Sequence, residues 1–342
     1  FEKLTHRPKF SIITPTFNTD NAILDKTIKS VEEQYYPNWE LCICDDGSSN
    51  KETKELLKDR SFRNPKLKVV FSETNEGIST ASNKALDLAS GEYVILLDHD
   101  DMLTKNALME IAIILNKNTD IDFIYSDEDK IDEKDNHMEP FFKPDWSPDL
   151  LFSYNYPIHV SVFRKSILQK IGGFRKQFDG SQDYDVILRF IEITNKIVHI
   201  PKVLYSWRKI SGSTALSMGE KNYAYDSGKD ALSDAIRRRK IDAIVENGID
   251  SGRYRIKYAI REKPLVSVII PTRNMVNLKT CLTSIFDRSY YNNLEIIVLD
   301  NSTTHEIKNF CNGFRQVKRL DISGWKFNFS RFNNYGVTKS NG

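Results

Sequence analysis

A chain of 342 residues is long enough for two domains, each with a core of its own. Its 49 lysines and arginines against 47 acids leave a net charge of +2, which argues against a dedicated nucleic-acid binder. No apolar run approaches a membrane span, and the four cysteines lack metal-ligand spacing, which argues against a structural zinc site.

In chain order, Phe10-Ser11-Ile12-Ile13-Thr14-Pro15-Thr16 reads as a strand ending on a proline turn. Residues 21–34 carry Ile23, Leu24, Ile28 and Val31 at helical spacing. A second strand over 40–44 runs into the turn Asp45-Asp46-Gly47-Ser48-Ser49, and Ser49 or Asn50 can cap the helix that holds Leu56 and Leu57. Cys42 and Cys44 share one face of that strand, a poor geometry for pairing, so a reducing cytoplasm is the simplest setting. A third strand covers 67–71, after which Asn75-Glu76-Gly77 turns into a helix through Ala89. Residues 94–97 are apolar throughout, the mark of a short strand buried on both faces. The alternation β-α-β-α-β-α-β predicts an α/β fold, a mostly parallel Rossmann-like sheet flanked by helices.

The apolar run is broken by Asp98, Asp100 and Asp101 around His99. Carboxylates beside a core need a cationic partner, and right-handed crossovers bring such strand ends to one rim, where ligands bind. Asp98 and Asp100 can share one hard divalent cation brought by a phosphate substrate; a solvated acidic turn is the alternative. The same rim could offer the Pro15 backbone and Asp46 to a base and ribose. Neither a G-x-G-x-x-G fingerprint nor a P-loop is present, so phosphate charge would be met by metal.

Ser11 to Asn18, the Asp45-Asp46-Gly47-Ser48 turn, Asn75-Glu76-Gly77 with Ala81 and Asn83, and Asp98-His99-Asp100 together resemble family 2 glycosyltransferases of the GT-A fold, over roughly residues 8–215. The resemblance implies transfer of a sugar from a nucleotide diphosphate, usually uridine diphosphate, with inversion at the anomeric carbon. It implies donor contacts from Pro15, Thr16, Asn18, Asp46 (to uracil), Gly77, Asn83 and Asp98. Mn2+ or Mg2+ would sit on Asp98 and Asp100, with His99 turned away or packed. In Gly180-Ser181-Gln182-Asp183-Tyr184-Asp185, Asp183 matches the family's general base, and Gln182 stands where the family often has glutamate, which alters the electrostatics around that base. Asp185 reads as a structural acid in the first turn of a helix. Family members commonly close a loop over the donor; residues 208–214 read as such a loop, with Arg208 either a diphosphate clamp or a solvated arginine.

Between these sites, 123–125 reads as a strand and Ser126-Asp127-Glu128-Asp129-Lys130 as a charged turn, structural or solvated rather than catalytic. Trp146 is the better exposed candidate for stacking on a sugar acceptor, with Phe141 and Phe142 open to core packing. His159 falls in an expected strand over 158–163, either a satisfied structural histidine or a weak acceptor contact. Residues 197–201 and 203–207 read as a strand pair, and 221–240 as an amphipathic helix whose terminal Arg237-Arg238-Arg239-Lys240 suits the helix dipole.

An internal repeat follows. Ser267, Pro271, Thr272 and Asn274 coincide with Ser11, Pro15, Thr16 and Asn18, and Asp300-Asn301-Ser302 restates the acidic turn, Asn301 standing where Asp46 stands. By eye Gly342 lies opposite Gly91, which reads as a truncated second copy without its own metal-binding acids. A start at Phe1, with neither methionine nor signal peptide, likewise reads as a piece of a longer protein. The expected domains are a GT-A domain over 1–218, a helical linker over 219–263 and the truncated copy over 264–342. Such a copy exposes a sheet edge, so packing on the first domain or on a second chain, a homo-oligomer, is expected.

The leading reading is an inverting, metal-dependent hexosyltransferase, moving glucose or galactose from a UDP-sugar to a glycan or glycoprotein in bacterial surface synthesis. Its partners would be the nucleotide-sugar donor and the acceptor, without nucleic acid. Its place would be the cytoplasm, association with the inner membrane face included. Two alternatives stand beside it. A sugar nucleotidyltransferase predicts a basic glycine-rich loop after the first strand, where this chain has Pro15-Thr16-Phe17-Asn18; a non-catalytic scaffold has Asp98, Asp100 and Asp183 against it, although it could keep them for folding.

Overall fold

A computed structural model describes residues 3–209 and 218–342, with the side chains of 218–222 set aside. It divides into two compact units, Phe1–Tyr258 and Ala259–Gly342. The first opens with β1 (Phe10–Thr16), α1 (Asn21–Glu32), β2 (Trp39–Asp45), α2 (Lys51–Arg63), β3 (Leu67–Phe71), α3 (Ile78–Asp87) and β4 (Tyr93–Leu96). Local chemistry sets the boundaries. Asp20 caps α1 by accepting from Ala22 N and Ile23 N, and Asn50 caps α2 through Glu52 N. Gly77, at φ 99°, starts α3 from a backbone region that side chains avoid. All pairings within β3-β2-β1-β4 are parallel. Alternate residues enter two cores: Ile12, Ile43 and Ile95 on one face, Ile13, Cys44 and Val94 on the other.

The unit continues with β5 (Met102–Leu103), α4 (Ala107–Lys117), β6 (Phe123–Ile131), β7 (His137–Phe141), α5 (Pro148–Leu151), β8 (Ser161–Arg164), α6 (Lys165–Lys170), α7 (Gln182–Phe190) and β9 (Ile197–Arg208). These extend the sheet to β3-β2-β1-β4-β8-β6-β9-β5, with β7 beside β6. Here β8 runs antiparallel to β4 and β6, so the outer half of the sheet is mixed. Two sequence expectations give way. Residues 126–130 are not a turn but part of β6, buried up to the half-buried Lys130 and so structural rather than solvated, because Glu128 pairs with Lys143 at 2.9 Å and Asp127 with His199 at 2.8 Å. The expected strand pair over 197–207 is one strand; the ladder to β6 skips Pro201 and Lys202, since proline has no N–H to give.

The stretch read as a linker holds α8 (Met218–Arg238), β10 (Ala243–Asn247) and β11 (Tyr254–Tyr258). It packs into the first unit: Ala231, Leu232, Ala235 and Tyr254 join the core behind α7. The second unit comprises β12 (Val266–Thr272), α9 (Met275–Arg288), β13 (Leu294–Asp300), α10 (Glu306–Cys311), β14 (Val317–Asp321) and α11 (Phe329–Val337), around a parallel β12-β13-β14 sheet. The repeat extends to single hydrogen bonds. Ser11 Oγ donates to Glu40 and accepts from Gly91 N at 2.8 Å, while Ser267 Oγ donates to Glu295 and accepts from Gly342 N at 2.9 Å. A Cβ on Gly91 would lie 2.5 Å from Lys9 O, so only glycine passes there.

Candidate active site

The C-terminal ends of β1 and β4, the end of β9 and the N-terminus of α7 enclose a cleft of about 860 Å³. Asp98, Asp100, His159 and Asp183 all face it. The turn after β4 is clamped from beneath. Tyr205 Oη donates to Asp101 Oδ2 at 2.6 Å and accepts from Asp98 N at 3.2 Å; Arg208 N donates to Asp101 Oδ1 at 2.7 Å, and Arg208 Nε to the Asp100 carbonyl at 2.8 Å. From α1, Thr27 Oγ1 donates to the His99 carbonyl at 3.0 Å. Asp101 is therefore spent on structure. No hydrogen bond reaches the Asp98 or Asp100 carboxylates among the described residues, where the His99 imidazole lies 3.9 Å from Asp100. Burial, then the charges of Asp100 and Asp183, push Asp98 up to about 7. Uncompensated carboxylates whose negative charge raises one another's affinity for protons are what a divalent cation neutralises. One ligand atom each of Asp98, Asp101 and the His159 imidazole also lie within 4.8 Å of one another, but Tyr205 and Arg208 already occupy the Asp101 carboxylate, which leaves the Asp98 carboxylate and the His159 imidazole as the donors of that group.

Asp183 is the second residue of α7. Burial lifts it to about 6, against the pull of the helix's first N–H groups and of Asn155, whose Nδ2 donates to Oδ2 at 3.1 Å. That value places a carboxylate in the range useful for taking a hydroxyl proton near neutrality. Gln182 also faces the cleft, its Oε1 accepting from Gly180 N at 3.0 Å, so it adds no negative charge beside Asp183.

The donor-side residues fall into two groups. Pro15 and Asn18 line the cleft, and Asn18, at φ 50°, ties the β1 and β2 turns by accepting from Ser49 N at 2.8 Å. Thr16 is buried and bonded to Thr19 at 2.6 Å. Asp46 is buried at the end of β2, accepting from Glu76 N and from Gly77 N at 2.9 Å, so its carboxylate shapes the turn into α3. Asn83 lies outside the cleft lining and bolts α3 to Phe174, donating to its carbonyl at 2.8 Å and accepting from its N–H at 2.9 Å.

Three expected placements change. Arg208 borders the cleft, but its side chain is buried on Asp135 at 2.5 Å, the Asp132 carbonyl and Met102 Sδ, which leaves no free fork for a diphosphate. It is neither a solvated arginine nor a loop residue, because it ends β9; residues 210–214 of the expected loop lie outside the described residues. Trp146 is half-buried among Tyr125 and Tyr156, while Phe142 is 70% exposed, the reverse of the expected order. His159 precedes β8 rather than lying in it. Its ring stacks on Tyr205 at 4.3 Å, and burial with the Lys143 charge holds it well below the usual histidine range, so it is neutral.

Residues 11–172 and 267–341 match the family described as glycosyl transferase family 2. The chain belongs to that family. It is 40% identical over 348 residues to the Sinorhizobium fredii protein y4gI, covering 99% of this chain and 38% of that protein. It is 31% identical over 344 residues to the O-antigen biosynthesis protein RfbC of Myxococcus xanthus, covering 99% of this chain and 27% of that one. The chain thus spans well under half the length of either relative. S. aureus TarS 1–349, solved in complex with UDP-GlcNAc, shares the fold at a TM-score of 0.51 and 21% identity, over 68% of this chain and 72% of that one. The fold of this glycosyltransferase is GT-A. No helix among its described residues is long and apolar enough to cross a membrane.

Sequence reasoning missed several residues that shape the glycosyltransferase's site. Tyr205 and Asn155 act across 107 and 28 positions, beyond the reach of any local spacing. Lys143 reaches Glu128 and the His159 carbonyl, fixing one wall of the cleft. Only Lys143 left a trace, as a lone cation between aromatic residues downstream of an acidic run.

Proposed function

We propose that this glycosyltransferase moves a hexose, glucose or galactose, from a UDP-sugar to a hydroxyl of a glycan or glycoprotein acceptor, with inversion, in the assembly of bacterial surface glycans. The observation that carries the reading is the placement of two uncompensated carboxylates, Asp98 and Asp100, on the same cleft as the buried carboxylate Asp183. Asp183 takes the proton of the acceptor hydroxyl as that oxygen attacks the anomeric carbon. The bond from that carbon to the diphosphate oxygen breaks, and UDP leaves with the electron pair. Asp98 and Asp100 would hold a divalent cation, which supplies positive charge at the departing diphosphate. The rim of β1 and β2, with Pro15, Asn18 and Asp46, would take the nucleoside. Tyr205 and Arg208 keep the turn after β4 from collapsing when its acids repel.

RfbC is an O-antigen biosynthesis protein, and the name of an Escherichia coli relative, WfgD, 39% identical over 116 residues, describes a UDP-Glc-dependent glucosyltransferase. Both support a sugar-nucleotide donor and a surface-glycan product here. The test is release of free nucleotide from UDP-glucose, UDP-galactose, UDP-GlcNAc and dTDP-rhamnose, with and without Mn2+. Release from a UDP-sugar that needs the cation, and falls by ~100-fold or more in Asp183→Asn and in Asp100→Ala, is expected. Unchanged turnover in both variants overturns the assignment.

A further inference from the structure

Asn155 lies in the irregular segment between α5 and β8, away from every sequence pattern that marks the site. Its Nδ2 donates to Asp183 Oδ2 at 3.1 Å, while its own Oδ1 is buried without a partner among the described residues. A buried carbonyl oxygen left unpaired is costly, and turning the amide over would bring it against the carboxylate. The charge of Asp183 therefore sets the orientation of this side chain. The segment is held on both sides: Tyr254 N donates to the Ser153 carbonyl at 2.7 Å, and buried Tyr156 receives Ser147 N on its hydroxyl at 2.8 Å. On the other side, Ser181 ties the start of α7 to the Ala224 carbonyl at 2.7 Å. Donor and carboxylate thus sit on separately anchored backbones.

We propose that Asn155 is the positioning residue of glycosyl transfer: by occupying Oδ2 of Asp183 it fixes the carboxylate rotamer and leaves Oδ1 as the oxygen that takes the acceptor's proton. The inference rests on Asp183 being the base. A hydrogen bond to the ionised form also favours that form. The other titratable groups acting on Asp183 are Asp185 on its own helix, Asp98 from the turn after β4 and Tyr254 from β11. None of them replaces the lost donor, since Asp185 is committed to Arg175 and Arg189 and the Tyr254 hydroxyl donates to the Tyr225 carbonyl.

The test uses the whole chain with Mn2+ and the UDP-sugar selected by the donor panel, reading kcat, donor KM, the pH profile and melting temperature for Asn155→Leu, Asn155→Asp and Asp183→Asn. Asn155→Leu is expected to lower kcat by ~10- to 100-fold with little change in donor KM, and to move the acidic limb of the profile to higher pH. Asn155→Asp has the same shape without the donor, so it tests the same point should the leucine variant fold poorly; its loss is expected to be larger. Wild-type kcat and pH profile in Asn155→Asp, alongside an inactive Asp183→Asn, overturn the positioning role while leaving the base in place. A kcat loss that follows the folded fraction, with the limb unmoved, also overturns it. Transfer that survives Asp183→Asn removes the base assignment and this inference together.

Discussion

At the scale of single residues, Asp183 as the proposed base would control the chemistry through its protonation. Burial raises it to about 6, and only the ionised form can take a proton. Turnover should therefore climb with pH through about 6 and level off above it, whatever the donor. The same shift has a stability consequence of opposite sign. The folded state holds this proton longer than the unfolded chain, whose aspartates titrate near 3.8. The contribution is fully present below that value and is lost as pH rises through about 6, with Asp98 extending the loss to about 7. A cation on Asp98 and Asp100 would offset this loss by competing with protons. A pH–rate profile that is flat between pH ~5 and ~7 would remove Asp183 from the proton-transfer step.

At the scale of elements, α7 holds the proposed base and is itself locked by charge. Asp185, with no exposed surface, accepts from Arg175 at 2.5 Å and from Arg189 at 2.7 Å, and Arg175 continues to Asp234 on α8 at 2.6 Å. Asp185→Asn leaves guanidinium charge without its buried partner, and should cost about 3 kcal/mol, the lower part of the usual range because Arg175 keeps Asp234. Thermal unfolding should show a melting temperature lower by roughly 6 °C or more. A change within about 2 °C would mean that the network carries no net stability. The sequence displayed elements such as β1, β3 and α1 because each is dictated by neighbours in the chain: alternation or helical spacing, and the Asp20 cap on α1. It showed the start of β6 at 123–125 but hid the rest, because a run of acids can be buried only when partners arrive from elsewhere, Lys143 for Glu128 and His199 for Asp127. Asp98 and Asp100 stood out for a local reason, as acids breaking an apolar run, and Asp183 through the family resemblance; all three line one cleft. The partners of Arg208 did not stand out, since Asp135 and the Asp100 carbonyl lie 73 and 108 residues away.

At the scale of the whole molecule, the two units repeat one plan with different rims. In the first, the Asp45 carboxylate at the end of β2 has no hydrogen-bond partner among the described residues and Asp46 accepts from backbone N–H groups. In the second, Asp300 is paired with Arg319 at 2.6 Å, and Asn301 donates to the carbonyls of Ile322 and Trp325. A rim whose acid is already neutralised offers a nucleoside different chemistry, so the proposed UDP site is expected on the first unit. Calorimetric titration of UDP, with and without Mn2+, into the wild-type chain, Asp100→Ala and Asp300→Ala tests this most directly. The account predicts Mn2+-dependent binding at a single site that survives in Asp300→Ala and is lost in Asp100→Ala. Binding that persists in Asp100→Ala, or disappears in Asp300→Ala, would contradict it.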